Sequence, residues 1–269
     1  MPTLGVNGND LHYERRGAGE PLLMIQGMAG HSLHWGEPFL SALERDFELV
    51  LYDHRGVGRS ASNGGPLGIA GLASDASKLL EGLGIERAHV LGISMGGMIA
   101  QELVLSQPER VLTLTLGCTY CGGRGSRFTE DTVVNELAMA IMSGDPERRI
   151  RAGWGFNVSA SFATGEGNFE RFAGLAAQYP IALPMIAAQV QAILAHDTSE
   201  RLGEIRVPTL VVHGTADQML AARNGELVAS LIPGARLELL DAVGHLFFWE
   251  RPEHAAQLIA EHVAAARAA

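Results

Sequence analysis

His89-Val90-Leu91-Gly92-Ile93-Ser94-Met95-Gly96-Gly97 is the stretch on which the fold turns. An apolar run of strand length, Ala88 to Ile93, leads into it. A helical pattern, Met95 to Ser106, leads out and is stopped by Pro108. Between them lies Gly92-Ile93-Ser94-Met95-Gly96, a G-x-S-x-G pentapeptide. Chance supplies roughly 0.2 such matches in a chain of this glycine and serine content, so the flanking strand and helix must carry the reading. A strand-to-helix turn this sharp strains the serine backbone, and glycines on either side let neighbouring segments approach. The Ser94 hydroxyl is therefore expected at the top of a sheet, at the positive end of a helix.

Outward from this turn, short apolar runs alternate with longer helical patterns, the mark of a mostly parallel open sheet with helices on both faces. Pro21 to Ile25, Phe47 to Tyr52, Val111 to Leu116, Val207 to His213 and Ala235 to Leu240 read as further strands. The N-terminal residues, through Leu11 to Arg15, read as an antiparallel edge closed by the Asn7-Gly8-Asn9 turn. Helices are expected over about Leu72 to Leu83, Met219 to Leu231 and Pro252 to the C-terminus. From Cys121 to Arg201 the rhythm breaks into helical patterns separated by Gly and Pro. One has Val133, Val134, Leu137, Ala138 and Ile141 on a single face with Thr129 as N-cap; Asp145-Pro146-Glu147 opens a second; Ile186, Gln189, Val190, Ile193 and Leu194 stripe a third. The organisation expected is an α/β core from 1–120 and 202–269 with a helical cap over 121–201.

The 269 residues suffice for a sizeable core, and 47% of them are hydrophobic. The net charge of −10 is spread with acids and bases interleaved, which argues against nucleic acid or an anionic membrane as partner. With no basic-then-apolar leader and no apolar run near the roughly 18 residues of a span, the expected location is cytoplasmic. Cys118 and Cys121, the only two cysteines, read as reduced core or pocket residues and are too few for a four-thiolate metal site. His31 and His34 lack further ligands nearby and read as loop histidines, so neither metal nor cofactor is expected.

A serine needs a base within hydrogen-bond reach to act as a nucleophile at neutral pH. His245 follows the strand ending at Leu240, on the side of an α/β sheet where catalytic groups gather. His213 ends a strand and is the alternative base, although its neighbour Gly214 suggests a packed role; His254 and His262 read as surface residues of the last helix. Asp217, after the strand that ends at His213, is placed to hold the imidazole tautomer and stabilise the imidazolium. Asp53 is the alternative acid, although Asp53-His54-Arg55-Gly56-Val57-Gly58-Arg59-Ser60 reads better as a structural turn. Two backbone N–H donors should meet the developing oxyanion: that of Met95, after the serine, and that of Met28, in Gln26-Gly27-Met28-Ala29-Gly30.

Taken in order, Gly27-Met28, Asp53 to Ser60, Gly92 to Gly97, Gly214 to Asp217 and Gly244-His245 resemble the α/β-hydrolase superfamily over nearly the whole chain. The resemblance implies the α/β-hydrolase fold, Ser94, Asp217 and His245 as a triad, and Met28 and Met95 as oxyanion donors. It points most closely to the capped esterases, enol-lactone hydrolases and cofactor-free perhydrolases. Gln26 departs from the pattern, because many relatives carry histidine there; the change bears on the support of the loop and on the substrate subgroup. The expected activity is hydrolysis of a small-molecule carboxylic ester or lactone through an acyl-enzyme, with no cofactor. Trp154, Phe156, Met219 and Phe247 are the candidate substrate-binding residues, and the same side chains would serve equally as core. The rivals are carbon–carbon hydrolysis by the same triad and a non-catalytic receptor on this fold.

Overall fold

The structure is a computed structural model and describes residues 2–268. In chain order the elements are β1 (Thr3–Val6), β2 (Asn9–Gly17), β3 (Glu20–Ile25), α1 (Glu37–Leu43), β4 (Phe47–Tyr52), α2 (Ile69–Gly82), β5 (Ala88–Ile93), α3 (Met95–Ser106) and β6 (Val111–Gly117). Five helices follow with no intervening strand: α4 (Asp131–Met142), α5 (Pro146–Asn157), α6 (Ala160–Ala163), α7 (Asn168–Ala176) and α8 (Leu183–Leu194). The chain then returns to the sheet with β7 (Thr209–Gly214), α9 (Arg223–Leu231), β8 (Arg236–Leu240), α10 (Phe247–Glu250) and α11 (Pro252–Ala268).

The eight strands run in the order β1-β2-β4-β3-β5-β6-β7-β8. β1 and β2 form an antiparallel hairpin in which Val6 faces Asn9 across Asn7-Gly8, and β2 pairs antiparallel with β4. Asn7 and Gly8 both have positive φ (47° and 77°), the turn geometry whose twist matches its strands. Every later pairing is parallel. After β3 the chain lays β4 on one side and β5 on the other, so the strand order reverses at β3/β5. The crevice beyond the carboxyl ends of strands at such a point is where ligands bind in open α/β sheets.

Alternation along the strands divides the core into two layers. Leu23, Ile25, Val50, Val90, Leu114 and Val211 pack under α2, α3 and α9. Leu22, Met24, Leu49, Leu91, Leu210 and Val212 pack under α1 and α11. Parallel strands covered on both faces read as continuous apolar runs, which is why β4 and β5 have the bounds expected from sequence. Each such side chain contributes about 1.5–3 kcal/mol by leaving water. No helix among the described residues is long and apolar enough to cross a membrane.

Several expectations are corrected. The helix expected from Met219 begins at Arg223, because Asp217 Oδ1 accepts the N–H groups of Met219 (2.8 Å) and Leu220 (2.9 Å) and holds the chain in a turn there. Glu130, not Thr129, is the N-cap of α4; the Thr129 hydroxyl donates to the Met219 carbonyl instead. Val134 on α4 is exposed, so the covered stripe centres on Val133, Leu137 and Ala140. His262 is buried in α11 with Nε2 against the Pro208 carbonyl (3.2 Å), not on the surface. Asp145 does cap α5, accepting from the Glu147 and Arg148 N–H groups.

Candidate active site

The β5–α3 turn has the expected strain. Ser94 has φ 54° and ψ −124°, a region costly for any residue with a Cβ. Surrounding contacts over-determine it: Ser94 N–H donates to the Gly117 carbonyl (2.8 Å), and the Thr119 hydroxyl donates to the Ser94 carbonyl (2.7 Å). Gly96 lets α3 start against the end of β3; a Cβ there would lie 2.1 Å from the Ile25 carbonyl oxygen. Its neighbours are buried, yet Ser94 remains partly exposed.

Asp217 and His245 come together from the loops after β7 and β8, with Oδ2 and Nδ1 2.7 Å apart. Both are buried, at 8% and 4% exposure. The other carboxylate oxygen takes the two backbone N–H groups that end the β7 loop. Oδ2 is also 3.1 Å from His213 Nε2, which lies 2.8 Å from the Leu220 carbonyl. A carbonyl only accepts, so His213 carries its proton on Nε2 and donates toward both oxygens. Burial favours the neutral acid at Asp217; the electrostatic pull of the adjacent His245 ring and the hydrogen bonds from His213 and His245 outweigh it and hold the carboxyl well below the usual carboxylate range. Sequence reasoning treated His213 as an alternative base or a packed residue, whereas the structure places it against the acid. Among the described residues no hydrogen bond joins Ser94 to His245. Contacts of that kind tighten when substrate arrives.

Asp53 is elsewhere and otherwise engaged. It accepts from the Ser32 N–H (2.7 Å) and the Arg59 N–H (2.9 Å), and its turn is closed by the Ser60 hydroxyl on the Asp53 carbonyl. Cys118 Sγ lies with Asp217 and His245 in one cluster whose ligand-type atoms are all within 4.8 Å. His245 Nδ1 lies 2.7 Å from a carboxylate oxygen, which only accepts, so this nitrogen carries a proton toward Asp217 and has no electron pair free for a cation. Cys118 and Cys121 are both buried free thiols. Burial, then Asp217, pushes the Cys118 thiol well up, as expected of an inert core cysteine.

The loop after β3 abuts the serine: a Cβ on Gly27 would sit 3.1 Å from Ser94 Cβ. Its N–H groups are nearly all engaged. Gly27 donates to Gln26 Oε1 (2.9 Å), Ala29 to Gln189 Oε1 (2.9 Å), Gly30 to the Gly27 carbonyl (3.2 Å) and His31 to His34 Nδ1 (3.1 Å). Of residues 27–31, Met28 alone keeps an N–H without a partner among the described residues. Met95 opens α3, where helix geometry leaves the first N–H groups unpaired. Met28 and Met95 are the residues from which the sequence reading expects the oxyanion donors. Gln26 Oε1 folds back on its own loop, and His54 Nε2 donates to the Gln26 carbonyl (2.8 Å).

His31 and His34 are buried beneath this loop with ring centroids 3.9 Å apart. Burial, then the neighbouring His31, pushes His34 down to about 3; burial pushes His196, at the end of the inserted helices, to about 4. Unfolded histidine titrates at about 6.5, so between these values the unfolded chain binds more protons and stability falls as pH drops. We expect urea unfolding at pH 5 to show a loss on the order of 2 kcal/mol per pH unit relative to pH 6 from these two groups. Equal stability at pH 7 and pH 5 would show that these rings are not buried neutral.

The four candidate substrate-binding residues divide. Trp154 is 2% exposed inside an aromatic cluster with Phe162, Phe172 and Trp249, and Phe247 is 0% exposed against Gly117 beneath the sheet edge. Neither ring faces open space, so both are corrected to packing residues. Phe156 and Met219 are half-buried. A cavity of about 480 Å³, floored by Trp35, Phe39 and Phe248 and rimmed by Arg16 and Arg171, lies apart from Ser94 and His245.

Comparisons with known proteins identify the family. A family model described as alpha/beta hydrolase fold matches residues 20–252. RutD of Azorhizobium caulinodans, provisionally named a carbamate hydrolase, is 34% identical over 261 residues, 94% of this chain and 94% of that protein. A hydrolase from Pseudomonas aeruginosa superposes with a TM-score of 0.84 at 29% identity, covering 97% of each chain. The enol-lactonase from Burkholderia xenovorans superposes with a TM-score of 0.85 at 25% identity, covering 98% of this chain and 100% of that one. With a family match over most of its length and a sheet in which the serine turn follows the central β5, this chain belongs to the α/β-hydrolase family and is a hydrolase.

Proposed function

We propose that this hydrolase cleaves a carboxylic ester or lactone through an acyl-enzyme on Ser94. The observation that carries the reading is the buried 2.7 Å contact between Asp217 Oδ2 and His245 Nδ1, at the same sheet edge as the strained Ser94. With Nδ1–H held by Asp217, the ring presents Nε2 as a base. Ser94 Oγ attacks the carbonyl carbon while its proton passes to Nε2. The carbonyl oxygen becomes an oxyanion between the Met28 and Met95 N–H groups. Collapse expels the alcohol, which takes the proton from His245; in a lactone it stays tethered to the acyl group. Water then repeats the sequence and frees Ser94. General-base help is worth about 10² to 10⁴ and each oxyanion donor about 10² to 10³, so the two act jointly.

A carbamate is the second reading, favoured by the 34% identity to RutD. Its carbonyl takes the same attack and leaves an alkoxide or amine to be protonated by His245. The test is hydrolysis of p-nitrophenyl acetate, p-nitrophenyl octanoate, a simple lactone and a p-nitrophenyl carbamate by the wild type and Ser94→Ala. We expect Ser94-dependent turnover of an ester or the lactone. Turnover of the carbamate alone would select the second reading. If the folded protein acts on none of them, the ester and lactone assignment falls and carbon–carbon cleavage becomes the better reading.

A further inference from the structure

Gln189 lies on α8, in the segment between β6 and β7, and is completely buried. Its Oε1 accepts the Ala29 N–H at 2.9 Å, from a residue 160 positions earlier in the chain. Ala29 has φ 59°, the left-handed region in which a Cβ is disfavoured, so the loop needs an external hold to stay there. Fixing the Ala29 amide fixes the plane of the preceding peptide and hence the chain beside the unpartnered Met28 N–H. The inserted helices also grip the histidine loop. Leu246 N–H donates to the Asn157 carbonyl (2.7 Å), while Glu250 Oε1 accepts from both Gly244 (2.8 Å) and Ser159 (2.7 Å). The oxyanion loop and the histidine loop are thus both hydrogen-bonded to the insertion, and on the β3 side Gln189 makes that bond.

We propose that Gln189 is a positioning residue for the oxyanion loop, so that docking of the insertion sets the aim of the Met28 N–H; this rests on the acyl-transfer reading above. The chemistry suits a carboxamide. Its oxygen accepts the amide without charge, whereas a buried carboxylate there would sit beside the oxygen on which negative charge develops. Because the Met28 N–H matters most when the oxyanion forms, losing its alignment weakens transition-state binding more than substrate binding.

Gln189→Met keeps length and packing and removes the acceptor. With p-nitrophenyl acetate we expect kcat to fall about 10- to 100-fold, below the loss for deleting a donor outright, with KM within about twofold. A trifluoromethyl ketone, whose adduct with Ser94 carries an oxyanion, should lose affinity by the same factor, while the matching methyl ketone should not. Gln189→Asn, one methylene too short to reach Ala29, should give the same split and serves if the methionine variant folds poorly. Unchanged kcat in a folded variant, or equal losses for both ketones, would overturn the positioning role. Wild type that neither turns over nor becomes labelled on Ser94 by a fluorophosphonate would instead bring down the acyl-transfer reading, and this proposal with it.

Discussion

Ser94→Ala is expected to lower turnover by a factor on the order of 10⁶ and to leave the fold intact. The size follows from what is lost. Without the hydroxyl no acyl-enzyme forms, and His245 and the two N–H donors have no attacking atom to serve. What survives is binding and oxyanion stabilisation acting on water, worth about 10³ to 10⁴ over the uncatalysed reaction. Stability should hold, because alanine keeps the Cβ and the same backbone strain at φ 54°, and the bonds to Gly117 and Thr119 are made by the Ser94 backbone. Steady-state kinetics with the most reactive ester, together with thermal unfolding, measures both. Retention of a tenth of wild-type activity in the folded variant would remove Ser94 from the nucleophile's place.

How far such a site can be read from sequence depends on whether its parts are local. The turn at Ser94 is local: strand, glycines and helix lie within about a dozen residues, and the structure has β5 and α3 at the expected bounds. Asp217 and His245 were legible for a related reason, since each follows its own apolar strand and open parallel sheets gather such loops at one edge. Contacts between distant segments were not legible. Nothing in the pattern of α8 separates Gln189 from its apolar neighbours as the residue that meets Ala29. His213 beside Gly214 read as packing or as the alternative base, and only the fold of the β7 loop places it on Asp217. Trp154 and Phe247 failed for a different reason. An aromatic side chain has the same hydrophobicity whether it lines a pocket or fills a core, so composition cannot choose. The helix expected from Met219 failed because Asp217, four residues after the strand's His213, captures the amides that would have begun it.

Asp217→Asn should lower kcat by a factor on the order of 10⁴, less than the serine change. Whether asparagine could simply turn over and present its oxygen to His245 is decided by its other neighbours. The Met219 and Leu220 N–H groups both point at Oδ1, so an NH2 group there would set donor against two donors. The side chain must keep its oxygen on those amides and turn its NH2 toward His245. Nδ1 then becomes the acceptor, the proton moves to Nε2, and the nitrogen that should take the Ser94 proton already carries one. His213 adds to the mismatch: its Nε2–H, fixed by the Leu220 carbonyl, meets the new NH2 and keeps only the carbonyl as acceptor. The variant should therefore bind substrate nearly normally, be slow at neutral pH and regain rate as the solution becomes basic. Asp53→Asn is the control, because Asp53 holds the turn through Ser32 and Arg59 and faces no catalytic ring. A larger kcat loss in folded Asp53→Asn than in Asp217→Asn would transfer the acid's role to Asp53. Equal, small losses in both would mean that the histidine needs no carboxylate to act.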